Sequence, residues 1–435
     1  MSICFRLQAL LNEDLAKMRR RLFFLFFNIL SFSLFSQDID YARKIVDTLT
    51  SNYFSGRGAV NDGEKKAANY IAKEFKLLGL KQFDNTFFQE FHYPTNTFPS
   101  KMEVRLDKGQ LIAGEDFIVD PSSSGVNGIF KTVWYTDDNV PTKKELKKLV
   151  LINFFQDKFI VIDSEDKESE VFSTLRLNLV EAAGIIKIED TKLTQSLSSI
   201  HNDYGSLTIK RESISRHNKR IELFIQQKFI RNYQSQNVIG YVEGTVHPDS
   251  LIVLSAHYDH LGMMGNEVYF PGANDNASGV AMLLNLAYHY THKEPPTKSI
   301  IFIAFGAEEA GLIGSKYFVE NPLVDLNKIN FVFNMDLMGT GEAGATIVNG
   351  VDFESHFKHL EIINNKSNYL SVIKKRGKAA NSDHYWFSEK GIPSFFIYLM
   401  GGIKAYHDID DISKTLPLTK FEDSFRLIRD FVDEL

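Results

Sequence analysis

Five short stretches of this 435-residue chain carry side chains that can hold divalent cations and move protons. His257 and Asp259 stand in Ala256-His257-Tyr258-Asp259-His260. Asp275 lies in the glycine-flanked run 271–279, the pair Glu308-Glu309 follows Gly306-Ala307, Asp336 follows Met335, and His407 lies in Tyr406-His407-Asp408. Imidazole and carboxylate together suit zinc, and two such ions can polarise a carbonyl and make a nucleophile of water near neutral pH. Adjacent glutamates cannot easily ligate one ion together. One on the metal and one over the water is the simplest division of labour. The sole cysteine is Cys4, so thiolate metal sites and thiol nucleophiles are excluded for the body of the chain.

The elements around these residues explain why they could meet. Residues 251–255, 299–305, 330–334 and 394–399 are apolar runs of strand length, and a helical stretch from 277 to about 290 follows the first. Near-continuous apolar strands alternating with helices predict an α/β fold: a doubly wound, mostly parallel sheet with helices on both faces. In such a sheet, ligands bind beyond the carboxyl ends of the strands. Each of the four runs ends in a loop bearing candidate ligands. Residues 39–80 read as helical, with Ala67, Ile71, Phe75 and Leu78 on one face and Gly79 as the stop. From 96 to 228 the texture becomes β-rich, with strand-like runs at 148–155, 158–163 and 184–188 and a helix-like stretch between the last two. Residues 37–95 and 229–435 are therefore read as one catalytic domain, and 96–228 as a β-rich module inserted into it.

The segments HYDH (257–260), GANDNASG (272–279), EEAGLIGS (308–315), NMDLMG (334–339), SDHYWF (382–387) and YHDIDD (406–411) occur in order. Together they resemble the co-catalytic di-zinc aminopeptidase family, which also includes glutamate carboxypeptidases and the related glutaminyl cyclases. The likeness covers residues 237–420 and extends to Phe54-Ser55-Gly56-Arg57. The 96–228 module is loosely similar to a protease-associated domain, at 184–188 alone. The resemblance implies two zinc ions, one held by His257 and Asp336, the other by Glu309 and His407, with Asp275 bridging them. It implies Glu308 as general base and a cis peptide between Asp275 and Asn276. Asp383 and His384 match an element near the family's site, which suggests a hydrogen-bonding or oxyanion-stabilising role. From the residues themselves, Asp259 is placed to accept the other ring N–H of His257 and fix its tautomer. His260, His289, His292, His356 and His359 are read as structural.

The expected function is an exported di-zinc aminopeptidase acting on peptide substrates, with a glutaminyl cyclase, carboxypeptidase or dipeptidase as alternatives on the same scaffold. A net charge of −6 gives no electrostatic case for nucleic acid or an anionic membrane. Met18-Arg19-Arg20-Arg21, an apolar run to about Leu34 and then Ser36-Gln37 read as a secretory signal peptide over 1–36. Met18 is an alternative start, because residues 1–17 fit no part of that pattern. Export to the periplasm or the exterior is the consequence, without stable membrane association after cleavage. An uncleaved N-terminal anchor is the competing reading.

Overall fold

The computed structural model describes residues 39–107 and 109–435; the proposed signal segment and Cys4 lie outside them. Tyr41–Leu435 forms one compact unit. Its first sheet has eight strands in the spatial order Phe88–Thr97, Lys228–Val242, Lys298–Phe305, His247–His257, Ile329–Met335, Ser394–Leu399, Ala345–Val348, Ile373–Lys375. The four strands from Lys298–Phe305 to Ser394–Leu399 run parallel, while Phe88–Thr97, Lys228–Val242 and Ala345–Val348 join antiparallel. The sheet is thus parallel at its centre and mixed at its edges. The apolar-run pattern that predicts parallel strands is confined to that centre.

Register carries the ligand-bearing ends to one edge. His257 pairs with Phe305, Ser255 with Asn334, and Met335 with Ile397. Val253, Ile301, Ile303 and Phe305 point to one face and pack on Phe318, Val319 and Phe387 of the Ile313–Glu320 and His384–Glu389 helices. Side chains alternate along a strand, so Ile252, Leu254, Ile300 and Phe302, all buried, point to the other. The helix Ser278–His292 packs on these strands. The Gly63–Leu78 helix buries Ala67, Ile71, Phe75 and Leu78, and it ends at Gly79, whose φ of 80° is readily adopted only by glycine. No helix among the described residues is long and apolar enough to cross a membrane.

Residues 103–225 supply every strand of a second eight-stranded sheet. The strand expected over 148–155 is instead the end of a helix, Lys143–Leu151, and a turn. Thr142 and Glu145 form a capping box that starts it, and Leu146 seals it onto Ile160 and Ile162. A short apolar run has no period of its own, and the cap decides. The opposite face of this sheet, with Phe159, Val161, Ile186 and Leu207, shares one core with Leu261, Met264 and Phe270 from the loops beside His257.

Candidate metal centre

His257 ends its strand, Asp336 directly follows Ile329–Met335, and Glu308 and Glu309 follow Lys298–Phe305 through Ala307, which adopts φ 55°. His407 lies in the loop after Ser394–Leu399, with φ 54°. Asp275 sits in the 273–277 turn that opens the Ser278–His292 helix, and the Asp275–Asn276 peptide is cis. The carboxylate of Asp275 is divided between two partners. Its Oδ1 lies 3.3 Å from His257 Nε2, which is also 3.3 Å from Asp336 Oδ2. Its Oδ2 lies 3.1 Å from His407 Nε2, which is 3.3 Å from Glu309 Oε2. These residues and Glu308 line one cavity of about 220 Å³, together with Arg376, Asn381, Phe396, Tyr398 and Tyr406.

The donor set fits a pair of cations on three grounds. His257, Asp275 and Asp336 each present a donor atom within 4.8 Å of the others. Asp336 Oδ1 is buried with no hydrogen-bond partner among the described residues, as a ligand oxygen awaiting an ion would be. Asp259, Asp275, Asp336 and Asp383 are all buried beside Glu308 and Glu309, and such charge is costly without a counter-ion. Arg57 is buried nearby, but its guanidinium is committed to backbone. It donates to the carbonyls of Tyr258 (2.8 Å), Leu49 (3.2 Å), Pro271 (2.5 Å), Gly272 (2.8 Å) and Asp275 (3.2 Å). Imidazole together with carboxylate is the donor chemistry of zinc.

The Asp275 loop is fixed from several directions. Asp411 accepts the backbone N–H of Asn274 at 2.9 Å and of Asp275 at 3.0 Å, and Asn276 donates to the Met335 carbonyl at 3.0 Å. Gly272 adopts φ 58°, and a Cβ there would lie 2.1 Å from the Asp275 carbonyl oxygen, so no other residue fits.

The expected role of Asp259 differs from its observed one. Its carboxylate is 3.8 Å from His257 Nδ1, and the ring N–H is met by its backbone carbonyl at 3.2 Å. The carboxylate itself accepts the amides of Glu308 and Glu309 at 3.0 and 3.1 Å. The Asp259 backbone carbonyl, nearer the ring than the side chain, takes the role expected of the carboxylate. Asp383 and His384 are fully buried behind the cavity wall rather than on it, with the His384 ring 5.5 Å from that of Phe396. It is Ser382 that reaches the centre: Asn334 donates to its Oγ at 2.8 Å, and its hydroxyl donates to Asp336 Oδ2 at 3.3 Å. His260, read as structural, bonds Glu309 Oε1 through Nδ1 at 2.7 Å and so orients that carboxylate. Tyr406 stacks on His407 with ring centroids 4.0 Å apart.

Glu308 is placed to handle protons. Burial pushes its carboxyl well above the ordinary value, and Glu309, Asp383 and Asp336 push it the same way against His257. A carboxylate raised in this manner binds a proton more readily than a free one, which suits a group that must accept and return one.

Residues 237–432 match the model of Peptidase family M28. Aminopeptidase YwaD of Bacillus subtilis (strain 168) is 33% identical over 209 residues, which is 46% of this chain and 44% of that protein. A probable zinc metalloprotease of Pyricularia oryzae is 37% identical over 112 residues, 25% of this chain and 22% of that protein. The matched stretches thus span less than half the length of these curated relatives. Among solved structures, a zinc aminopeptidase from Bacillus subtilis superposes with a TM-score of 0.70 at 21% identity, over 91% of this chain and 94% of that one. An aminopeptidase from Aneurinibacillus sp. strain AM-1 superposes at 0.63 with 20% identity, over 91% and 93%. The shared fold therefore extends well beyond the matched sequence.

Proposed function

We propose that this chain, whose residues 237–432 carry the catalytic core of peptidase family M28, is a zinc-dependent aminopeptidase that removes N-terminal residues from peptides. The observation that carries the reading is the division of Asp275 between His257 with Asp336 on one side and His407 with Glu309 on the other. In this reading those five side chains hold two zinc ions, Asp275 shared. When bound, such a pair supplies Lewis-acid polarisation of the scissile carbonyl and a water of lowered pKa. Glu308 takes the water's proton on its carboxylate and returns it to the leaving amine. Asp259 aims Glu308 from behind through the backbone. Tyr406, on the cavity wall beside His407, is in this reading the donor to a developing oxyanion.

Arg376 favours a second, narrower reading. Its exposed side chain is the one guanidinium or ammonium lining this cavity, and no ion-pair partner holds it among the described residues. A guanidinium there would receive the free carboxylate of a dipeptide or tripeptide. We also infer export, from the basic and apolar pattern of residues 18–36. N-terminal sequencing of protein recovered outside the cytoplasm tests it, and an intact residue 18 there would contradict cleavage.

A substrate panel with zinc quantified in the same samples tests the function. Aminoacyl anilides and free-amine peptides should be cleaved, and N-acetylated peptides should not. Cyclisation of N-terminal glutamine with one zinc per chain would replace the peptidase reading by the cyclase. A tripeptide cleaved no faster than its C-terminal amide would remove the role given to Arg376.

A further inference from the structure

We infer that the 96–228 module builds part of the metal centre, with Lys192 as a positioning residue that sets metal affinity on the His407 side. This rests on the reading of His407 as a metal ligand. After the strand Gly184–Glu189, the chain leaves the second sheet and crosses to the loop carrying His407. Leu193 and Leu197 anchor this crossing segment in the module's core. Lys192 Nζ donates to the carbonyls of Lys404 at 3.0 Å and Tyr406 at 2.9 Å, and pairs with Asp408 Oδ2 at 2.7 Å. Gln195 donates its backbone N–H to the His407 carbonyl at 2.9 Å, and its own carbonyl accepts His407 Nδ1–H at 3.1 Å. Gln195 is fixed in turn by donating through Nε2 to the Val119 carbonyl at 3.0 Å.

The His407 loop has little else to hold it. Residues 403–408 belong to no helix or strand, and Gly401 and Gly402 precede them with φ of 97° and 73°. Among the described residues, their hydrogen bonds to the rest of the chain go to Lys192 and Gln195, apart from the Asp410 amide on Asp408 Oδ1 at 3.0 Å and the contacts of His407 with Asp275 and Glu309. His407 itself stands at φ 54°, a conformation that persists for a non-glycine residue only when its surroundings enforce it. The Gln195 carbonyl also decides which ring nitrogen carries the proton, leaving Nε2 free to ligate. Groups that orient a metal-bound histidine in this way typically govern affinity by about 10–100-fold. The module therefore does more than share a core with the catalytic part. It supplies the partner that fixes tautomer and direction for one ligand.

Zinc affinity, read by competition with a chromophoric chelator on the full chain, tests this. Lys192→Met should leave the first zinc as tight as in the parent and weaken the second by about 10-fold or more. Lys192→Arg, which keeps charge and donors, should recover most of the loss. Asp408→Asn removes the ion pair and one of the two acceptors that the carboxylate offers the Tyr406 and Asp410 amides, should weaken the second site, and carries the test if Lys192→Met fails to fold. Two unchanged zinc affinities in a folded Lys192→Met or Asp408→Asn chain would overturn the inference. A parent chain that binds fewer than two zincs would instead overturn the di-zinc reading on which it rests.

Discussion

Asp259 holds Glu308 by its backbone: one carboxylate oxygen accepts the Glu308 amide at 3.0 Å while the other accepts that of Glu309 at 3.1 Å. A single buried side chain thus sets the height of both glutamates at the end of their strand. The relationship separates two effects that mutagenesis can tell apart. Replacing the Glu308 carboxyl should leave the cavity intact, and replacing the Asp259 carboxylate beneath it should shift the loop.

Glu308→Gln should lower kcat on aminoacyl anilides by about 10²–10⁴-fold with zinc content unchanged. Asp259→Asn presents an N–H₂ where an acceptor is needed. It should lower kcat by roughly 10²-fold through misplacement of Glu308 with a smaller effect on KM. Steady-state kinetics on zinc-analysed protein decides both. Full turnover by Glu308→Gln would end its assignment as the base.

Arg57 gathers five carbonyls from three separate stretches, around Leu49, Tyr258 and 271–275. Arg57→Met would leave those acceptors buried and unmet, so we expect a loss of about 3 kcal/mol or more in unfolding free energy. Arg57→Lys, with three donors, should recover part of it. Urea unfolding monitored by circular dichroism measures each. A Met variant within about 1 kcal/mol of the parent would show that water satisfies these carbonyls.

Removing the metal should destabilise the chain, because buried carboxylates then face each other without a counter-charge. Dialysis against a chelator should lower Tm by several degrees, on the order of 5 °C, and added zinc should restore it where magnesium does not. Differential scanning fluorimetry reads the shift. An unmoved Tm after verified zinc removal would mean that the centre is rigid without ions.

Much of this site is legible in sequence because parallel strands announce themselves as apolar runs and deliver the loops at their carboxyl ends to one edge. His257, Glu308, Asp336 and His407 are each found that way. The contacts that are not legible depend on segments meeting in space. Arg57 and the Asp275 carbonyl are 218 residues apart, and Gln195 and His407 are 212 apart. No local period links them. His260 reads as structural because its neighbours in sequence give it no partner, whereas Glu309 arrives from the next strand. The helix ending near 151 carries a signal in Thr142 and Glu145, which a pattern of apolar runs alone does not register.

His384 offers a test by acidity. Its ring is buried beside Phe396, and burial lowers its pKa to about 3 against a smaller opposing contribution from the Ser382 backbone. The unfolded chain would titrate it at about 6.5. Between those values the unfolded state binds the extra proton, so stability is complete above about 6.5. It falls as pH drops towards about 3, by at most roughly 1.4 kcal/mol per pH unit. His384→Gln removes that titration. On acidification from about pH 7 to about pH 4.5 the parent should therefore lose unfolding free energy relative to the variant. Groups common to both chains cancel in the difference. Parallel pH profiles in urea unfolding would mean that the protonated His384 ring reaches a hydrogen-bond acceptor or water in the folded state and is not held neutral by burial.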